Sequence, residues 1–223
     1  RIMNIMYKEN IAISSRNKNY QNAKRVFISI AILLISLSIS AQSAIQAKKV
    51  LDKTASIVGR KGGASANFTI SSVKYGSTSG HVAIKGNKFY TYTSEAKVWF
   101  DGKTQWSYMK KTNEVNVSVP TEAQQVSMNP YKFITMYKNG YTLGMTNKNG
   151  NYVIHLTAQN KKRSVQEMYI TINRNYYPEQ VKMRQGKTWT TINISNFSAK
   201  NQNDATFRFP AKDYTNAEII DLR

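Results

Sequence analysis

The chain has 223 residues, with 32 Lys and Arg residues against 12 Asp and Glu residues, and a formal net charge of +20. It has no cysteine, which excludes a disulfide framework, a thiol nucleophile and a cysteine-ligated metal. The lysines are spread along the chain apart from the cluster Lys161-Lys162-Arg163, a distribution that favours attraction to an anionic membrane surface over binding of nucleic acid.

Residues 24–41 have the three-part pattern of a secretion signal. Lys24 and Arg25 precede the apolar run of residues 26–39, and small residues follow at Ser40 and Ala41. The apolar run is short for a membrane span, so we expect a cleaved signal peptide and export to the periplasm. A retained N-terminal anchor is the alternative.

The remaining sequence predicts one domain. Residues 1–23 are polar and aperiodic, and we interpret them as an over-extended start. Residues 42–223 have the length of a single domain that can bury a core without covalent cross-links, and no linker or internal repeat divides them.

Periodicity predicts helices at two places. Apolar residues recur at spacings of three and four from Gln42 to Val58, with Gly59 as a stop. Asn129 resembles an N-cap with Pro130 at the first helical position of a short second helix.

The rest of the chain alternates between apolar and polar residues at period two, which predicts strands. We count about ten or eleven, and the sequence therefore predicts a mainly β fold (α+β) with one antiparallel sheet and a few helices. Among the connections, Asp101-Gly102 is a strong hairpin signal and Gly76–Gly80 reads as a turn. Phe207 and Phe209 suggest a last short strand.

The inner face of this sheet is expected to be aromatic, with Phe89, Trp99, Phe100, Trp106 and Tyr108 on it. Two short helices can lie across such a face without filling the space beneath them. The remaining space is either an apolar cavity for a hydrophobic ligand or a closed, packed core, and periodicity alone leaves both open.

Residues suited to catalysis are few. His81 and His155 are the only histidines, and each sits on an expected strand among apolar residues, as ordinary sheet histidines do. The carboxylates show no paired catalytic spacing and no metal-ligand cluster. We therefore predict a protein that is not an enzyme and that has no metal and no cofactor.

Five segments carry a resemblance to a known family. They are GHVAIKGNKF (80–89), VWFDGKTQWSY (98–108), NEVNV (113–117), NPYKFI (129–134) and FRFPAKDY (207–214). In order and spacing they resemble the LolA-like family of outer-membrane lipoprotein carriers. The resemblance implies an unclosed antiparallel β-barrel of about eleven strands, with the helices as a lid over an apolar cavity.

The family's role implies the function and partners. The protein is expected to be a monomeric periplasmic carrier that takes acylated lipoproteins from an inner-membrane ABC exporter to an outer-membrane acceptor, with no nucleic acid involved. The alternative is a periplasmic lipid-binding sensor or adaptor of the same fold, RseB-like, that does not transport lipoproteins.

The strand pattern and the resemblance together give the expected cavity residues: Phe68, Ile70, Val82, Ile84, Phe89, Val98, Phe100, Trp106, Tyr108, Phe133, Met136 and Tyr137. Many family members have an arginine near the position of Phe89 that binds the lid, whereas this chain has Lys85 and Lys88, which lack the guanidinium fork. We expect Lys85, Lys88, Val50 and Leu51 to contact the lid.

Overall fold

The computed structural model describes residues 41–73, 76–121, 124–125 and 130–223. By its internal contacts the chain divides into two compact units, residues 1–42 and Ser43–Arg223, and the second is the subject here. The expected start at residues 1–23 lies outside the described residues, and so does the expected signal segment apart from its last residue.

The first helix, α1 (residues 41–58), ends where its periodicity predicts. Its buried side chains follow spacings of three and four, so they share one face of the helix; they are Ala47, Val50, Leu51, Thr54, Ala55 and Val58. The amide of Gly59 donates to the carbonyl oxygen of Ala55 at 2.8 Å and closes the last turn.

Twelve strands form one sheet within the described residues, which confirms the mainly β prediction. They are β1 (Ala64–Ser72), β2 (Gly76–Lys85), β3 (Lys88–Thr93), β4 (Ala96–Phe100), β5 (Gln105–Met109), β6 (Glu114–Ser118), β7 (Tyr141–Lys148), β8 (Asn151–Ala158), β9 (Glu167–Ile172), β10 (Pro178–Gln185), β11 (Thr188–Ser198) and β12 (Glu218–Asp221). The spatial order is β12-β6-β5-β4-β3-β2-β1-β11-β10-β9-β8-β7, so the sheet is unclosed, with β12 and β7 at its edges. Neighbours are antiparallel except β12, which runs parallel to β6.

The predicted turn at Gly76–Gly80 is wrong. These residues begin β2 and pair with the second half of β1, so the chain reverses between Ser72 and Gly76. The hydroxyl groups of Thr69 and Ser79 lie 3.0 Å apart across the two strands. Hydroxyl side chains suit a strand as well as a turn, and pairing with β1 decides the outcome.

The predicted last strand at Phe207 and Phe209 is also wrong. This segment contains two 3-10 helices, η2 (Asp204–Phe207) and η3 (Ala211–Tyr214). The side chain of Asn203 caps η2 by accepting a hydrogen bond from the amide of Ala205 at 3.0 Å. The true last strand, β12, is the twelfth and lies beyond the predicted one.

The Asp101-Gly102 hairpin is confirmed between β4 and β5. A carboxylate oxygen of Asp101 accepts hydrogen bonds from the amides of Lys103 and Thr104, both at 2.8 Å. Gly102 has a φ of +106°, which a residue with a side chain rarely adopts. Asp101 is therefore a turn residue.

The second helix, α2 (Pro130–Thr135), continues into a 3-10 turn, η1 (Met136–Lys138). The expected cap, Asn129, lies outside the described residues. The ring of Tyr131 packs at the end of α1, where a Cβ on Gly59 would come within 2.3 Å of it. A glycine at that position lets the two helices meet.

The buried residues form two separate clusters. The first packs α1 and η1 on β8 to β10 and contains Ala47, Val50, Leu51, Tyr137, Tyr141, Ile154, Leu156, Val165, Met168, Ile170, Ile172, Val181 and Met183. The second packs the end of α1 and α2 on β1 to β4 and contains Ala55, Val58, Ala64, Ile84, Phe89, Phe100 and Ile134. We call them the β8–β10 cluster and the β1–β4 cluster.

The edge strand β7 is covered by α1. The hydroxyl group of Ser43 accepts from the amide of Met145 at 2.8 Å and donates to its carbonyl oxygen at 3.2 Å. This satisfies backbone groups that an edge strand otherwise exposes. None of the helices among the described residues is both long and apolar enough to span a membrane.

We predict that Leu51→Ala lowers the free energy of unfolding by about 2–5 kcal/mol, because Leu51 is fully buried and its loss leaves a cavity between α1 and the sheet. Ile45→Ala on the same helix is the control, since Ile45 is 53% exposed and its truncation should cost less than about 0.5 kcal/mol. Urea denaturation measures both. Equal losses in the two variants would contradict the packing of α1 described above.

Candidate functional site

An apolar cavity of about 680 Å³ lies between the sheet and the helices. Its floor is formed by the central strands β1, β2, β3, β10 and β11. Val58 at the end of α1, Phe133 and Ile134 of α2, and Met136 of η1 contribute to its wall on the helical side.

The side chains around the cavity are predominantly aliphatic and aromatic, and none of the described residues that line it is charged. The central apolar ones are only half-buried, namely Phe68, Ile70, Val82, Ile192, Ile194 and Phe197. By contrast, Ile154 and Ile170 in the β8–β10 cluster are fully buried. The inner face of the central strands therefore retains apolar surface that the protein itself does not cover.

Small residues on the inner face of the sheet contribute to this space. Ala64 and Ala66 of β1 and Thr91 of β3 line the cavity. At Gly80 a Cβ would lie 2.7 Å from the ring of Phe68, so the glycine leaves room for that ring. The helices pack on the two flanking clusters, and the gap between them is the cavity.

Polar side chains collect at one end of the lining. Ile70 of β1 pairs with Thr78 of β2, near the β1–β2 hairpin, and Thr93 lies on the adjacent part of β3. Gln185 and Thr190 belong to the corresponding end of β10 and β11. At the other end, Ala64 and Val58 are buried.

A hydrogen-bonded group joins α1 to η1. The hydroxyl group of Tyr137 donates to the carboxylate of Asp52, which also accepts from the ammonium group of Lys48 at 2.7 Å. These hydrogen bonds, with that of Lys48 the larger cause, lower the pKa of Asp52. Burial and the bond to Asp52 raise the pKa of Tyr137, so its hydroxyl keeps its proton at neutral pH.

The structure places seven of the twelve expected cavity residues in the lining: Phe68, Ile70, Val82, Ile84, Phe89, Phe133 and Met136. Val98 and Phe100 share the face of Phe89 but belong to the β1–β4 cluster, and Tyr137 belongs to the β8–β10 cluster. The role of the lining residues in ligand binding stays a prediction.

Trp106 and Tyr108 lie on the opposite face of the sheet, so their assignment to the cavity is wrong. Trp106 pairs with Trp99 across β4 and β5. Trp99 is adjacent to Phe100 in β4, so the two point to opposite faces of the sheet. Its ring stacks on Phe209 at a centroid distance of 6.0 Å, and Tyr108 meets Tyr214 at 4.7 Å. The aromatic residues expected on one face are thus divided between two, and the segment with η2 and η3 covers the outer group.

Lys85 and Lys88 contact this C-terminal segment and not α1 or α2. Their ammonium groups lie 3.0 and 3.3 Å from the carboxylate of Asp204, and Lys85 also donates to the carbonyl oxygen of Gln202 at 3.1 Å. The expected contact of these lysines with a helical lid is therefore wrong. Val50 and Leu51 do lie on a covering helix, where they pack into the β8–β10 cluster.

The two histidines lie outside the cavity lining. His81 stacks on Tyr92, and burial lowers its pKa. His155 lies 2.9 Å from the carboxylate of Glu167, which Arg184 also binds at 3.0 Å. Within the described ranges, no group of three or more His, Asp or Glu side chains could hold a metal ion.

Sequence reasoning missed the part of the lining that comes from β10 and β11. Val181, Met183, Ile192 and Ile194 alternate at period two, so the signal for an inner face was present. It did not show that β11 pairs with β1, which brings Ile194 and Ile192 opposite Phe68 and Ile70. That pairing joins strands far apart in sequence.

The fold and cavity together define a class of protein, an unclosed antiparallel sheet with helices over an apolar cavity. The family model for the outer membrane lipoprotein carrier protein LolA matches residues 37–187. The chain belongs to this family. The family is one of lipoprotein carrier proteins.

Solved structures are similar to the chain at low sequence identity. An uncharacterized conserved protein from Thermus thermophilus has 14% identity and a TM-score of 0.53, with 79% of this chain and 99% of that chain covered. A LolA superfamily protein from Nitrosomonas europaea has 11% identity and a TM-score of 0.40, with 74% and 98% covered. LprF from Mycobacterium bovis has 10% identity and a TM-score of 0.43, with 75% and 98% covered. No curated protein sequence matches the chain.

We predict that Tyr137→Phe lowers the free energy of unfolding at pH 7 by about 1 kcal/mol, the usual worth of a partly exposed hydrogen bond. The pKa of Asp52 is lowered in the folded state, so this contribution is present above its unfolded value and is lost as the pH falls through the folded one. The difference between the variant and the parent should therefore shrink below about pH 4.

Urea denaturation at pH 7 and pH 3 measures this difference. Tyr92→Phe is the control, because Tyr92 is 43% exposed on the outer face and should show no such dependence on pH. A loss in Tyr137→Phe that is the same at both pH values would contradict the role of the Asp52 carboxylate.

Proposed function

We propose that this protein carries acyl chains of lipoproteins in its cavity, from an inner-membrane ABC exporter across the periplasm to an acceptor at the outer membrane. The uncharged apolar cavity of about 680 Å³ is the observation that carries the proposal. Membership of the lipoprotein carrier family supports the cargo, and the signal pattern at residues 24–41 supports the compartment.

The cavity has the size for one acyl chain. Its volume lies within the range of about 300–1,000 Å³ that is usual for small-molecule sites. A water molecule takes about 30 Å³ in the liquid and a methylene group is similar in size, so there is room for on the order of twenty methylene groups. A chain of about sixteen carbons fits, and a second requires the helices to move.

The half-buried lining suits a carrier that must release its cargo. Burial of a methylene group contributes about 0.8 kcal/mol, so complete burial of a sixteen-carbon chain would contribute roughly 12 kcal/mol. A carrier that gained all of this could not hand the chain on. Flexible side chains such as Met136 and Met183 pack against many shapes without fitting one of them closely.

Release also depends on how α1 and η1 are held. Tyr137 and Asp52 connect them over the β8–β10 cluster, while Lys85 and Lys88 hold the C-terminal segment. The helices can thus separate without breaking the lysine contacts. Partly exposed hydrogen bonds of this kind are weak enough to break and re-form during transfer.

Mass spectrometry of the protein after export and gentle purification tests for bound lipid. We expect acyl lipids or lipoproteins to copurify in a near-stoichiometric amount. Protein that is free of lipid, and that binds no lipid when it is offered, would contradict the proposal.

Phe68→Ala should weaken the binding of a fluorescent fatty-acyl probe about tenfold, because Phe68 lines the cavity and its ring offers apolar contact. Tyr92→Ala removes an aromatic side chain from the outer face of the same sheet and should leave the affinity unchanged. A fluorescence titration measures both, with circular dichroism as the check on folding. Equal affinities in the two variants would show that the probe binds elsewhere.

Depletion of the protein distinguishes carriage from signalling. A carrier predicts that lipoproteins accumulate at the inner membrane when the protein is removed. Normal localisation, together with bound lipid in the purified protein, would favour a lipid-binding sensor or adaptor of the same fold and contradict transport.

A further inference from the structure

A second, open recess of about 560 Å³ lies beside the cavity and has the opposite chemistry. Lys53, Ser56 and Arg60 line it from α1 and the residues just after it. Arg174, Tyr176 and Tyr177 line it from the β9–β10 connection. None of the described residues that line the recess is acidic.

Within the described part of the chain, the three cations of the recess have no carboxylate partner. None of the ion pairs among the described residues includes Lys53, Arg60 or Arg174. Asp52, next to Lys53 in sequence, is already bound by Lys48 and Tyr137. Three positive charges thus converge on a concave site without neutralisation, which favours an anionic ligand.

Two of the cations are positioned by aromatic rings. The ammonium group of Lys53 lies 4.0 Å from the ring centroid of Tyr176, and the guanidinium group of Arg174 lies 4.7 Å from that of Tyr152. The two rings are stacked at a centroid distance of 5.8 Å. Contact with a ring face holds each cation in place but leaves its N–H donors able to bind an oxyanion.

The connection that carries Tyr176 has an unusual backbone. Tyr176 has a φ of +62°, which is uncommon for a residue with a large side chain. The side chain of Asn173 holds this turn by accepting from the amides of Asn175 and Tyr177 at 2.9 and 3.1 Å. A strained conformation held in this way and directed at a pocket is typical of ligand sites.

The recess and the acyl cavity share a wall. Neighbouring residues face the two sites, since Ile57 lines the recess and Val58 the cavity. The ring of Tyr177 in the recess lies 4.7 Å from the ring of Phe197 in the cavity. A polar, cationic site next to an apolar one matches a molecule with an anionic head and an acyl tail.

We propose that this recess binds the phosphate group of a phospholipid headgroup. This inference rests on the function proposed for the neighbouring apolar cavity. It adds anionic phospholipids to the acyl chains that we assign to that cavity. Arg60 and Arg174 offer paired donors that suit phosphate oxygens, and Lys53 and the hydroxyl of Ser56 add single donors.

The test compares three soluble ligands by isothermal titration calorimetry: short-chain phosphatidylglycerol, the matching diacylglycerol without phosphate, and inorganic phosphate. The parent should bind phosphatidylglycerol at least about tenfold more tightly than diacylglycerol, with a preference that declines as salt is added. Inorganic phosphate should bind more weakly than phosphatidylglycerol, because it lacks the acyl chains.

The recess variant is Lys53→Gln/Arg60→Gln, and the control Lys49→Gln/Lys162→Gln removes the same charge from exposed positions outside the recess. We expect the preference for phosphatidylglycerol to fall to within about threefold in the recess variant and to stay in the control. Arg174→Gln, on the other side of the recess, provides a second variant should the first fail to fold.

An equal loss in the control would show that net charge and not the recess is responsible, and an unchanged preference in a folded recess variant would overturn the proposal. Inorganic phosphate that binds as tightly as phosphatidylglycerol would show that the recess takes free phosphate. That result would overturn the proposal that it binds a phospholipid headgroup. Failure of the parent to bind diacylglycerol would count against the acyl cavity, whereas loss of the phosphate preference alone counts against the recess.

Discussion

The structure depends on a mismatch between the width of the sheet and the length of the helices that cover it. A sheet of twelve strands presents a long apolar inner face, while α1 and the short α2–η1 segment can pack closely on only part of it. Two densely packed clusters form at the flanks of the sheet, and small residues such as Ala66 and Gly80 lie between them. The apolar face in the gap remains half-exposed. In an ordinary domain such a gap costs stability, because its lining loses packing contacts. Here it is the feature that can bind a hydrophobic ligand.

The opposite face of the same sheet is covered differently. There Trp99 and Trp106 are covered by Phe209 and Tyr214 from the C-terminal segment, which is itself held by the ion pairs of Asp204. The aromatic side chains on this side pack against each other. The inner face thus carries both buried clusters and the cavity between them, and the outer face carries the aromatic layer at β4 and β5.

Much of this architecture could be predicted from the sequence. Helical spacing gave α1, alternation gave most strands, and Asp101-Gly102 gave its hairpin, because each signal is local. The face of each strand was harder: in a segment with aromatic residues at adjacent positions, such as Trp99 and Phe100, period two does not say which one points inward. The pairing of β1 with β11 and the recess at Arg174 come from contacts between distant segments, and no local pattern contains them. The parts that could not be predicted are therefore those that tertiary contacts determine.

The cavity and the basic recess share structural elements, and this has a mechanical consequence. α1 directs Val58 into the cavity and Lys53 into the recess, so one helix takes part in both sites. The other side of the recess, at Arg174, belongs to a sheet connection that need not move with α1. A phosphate that bridges Lys53 and Arg174 therefore binds best when α1 lies on the sheet, which is also the arrangement that encloses the cavity. Because such coupling is reciprocal, an enclosed acyl chain strengthens phosphate binding as much as phosphate strengthens enclosure of the chain. In the proposed mechanism, transfer to a membrane requires that both interactions weaken together, and separation of α1 from the sheet weakens both at once.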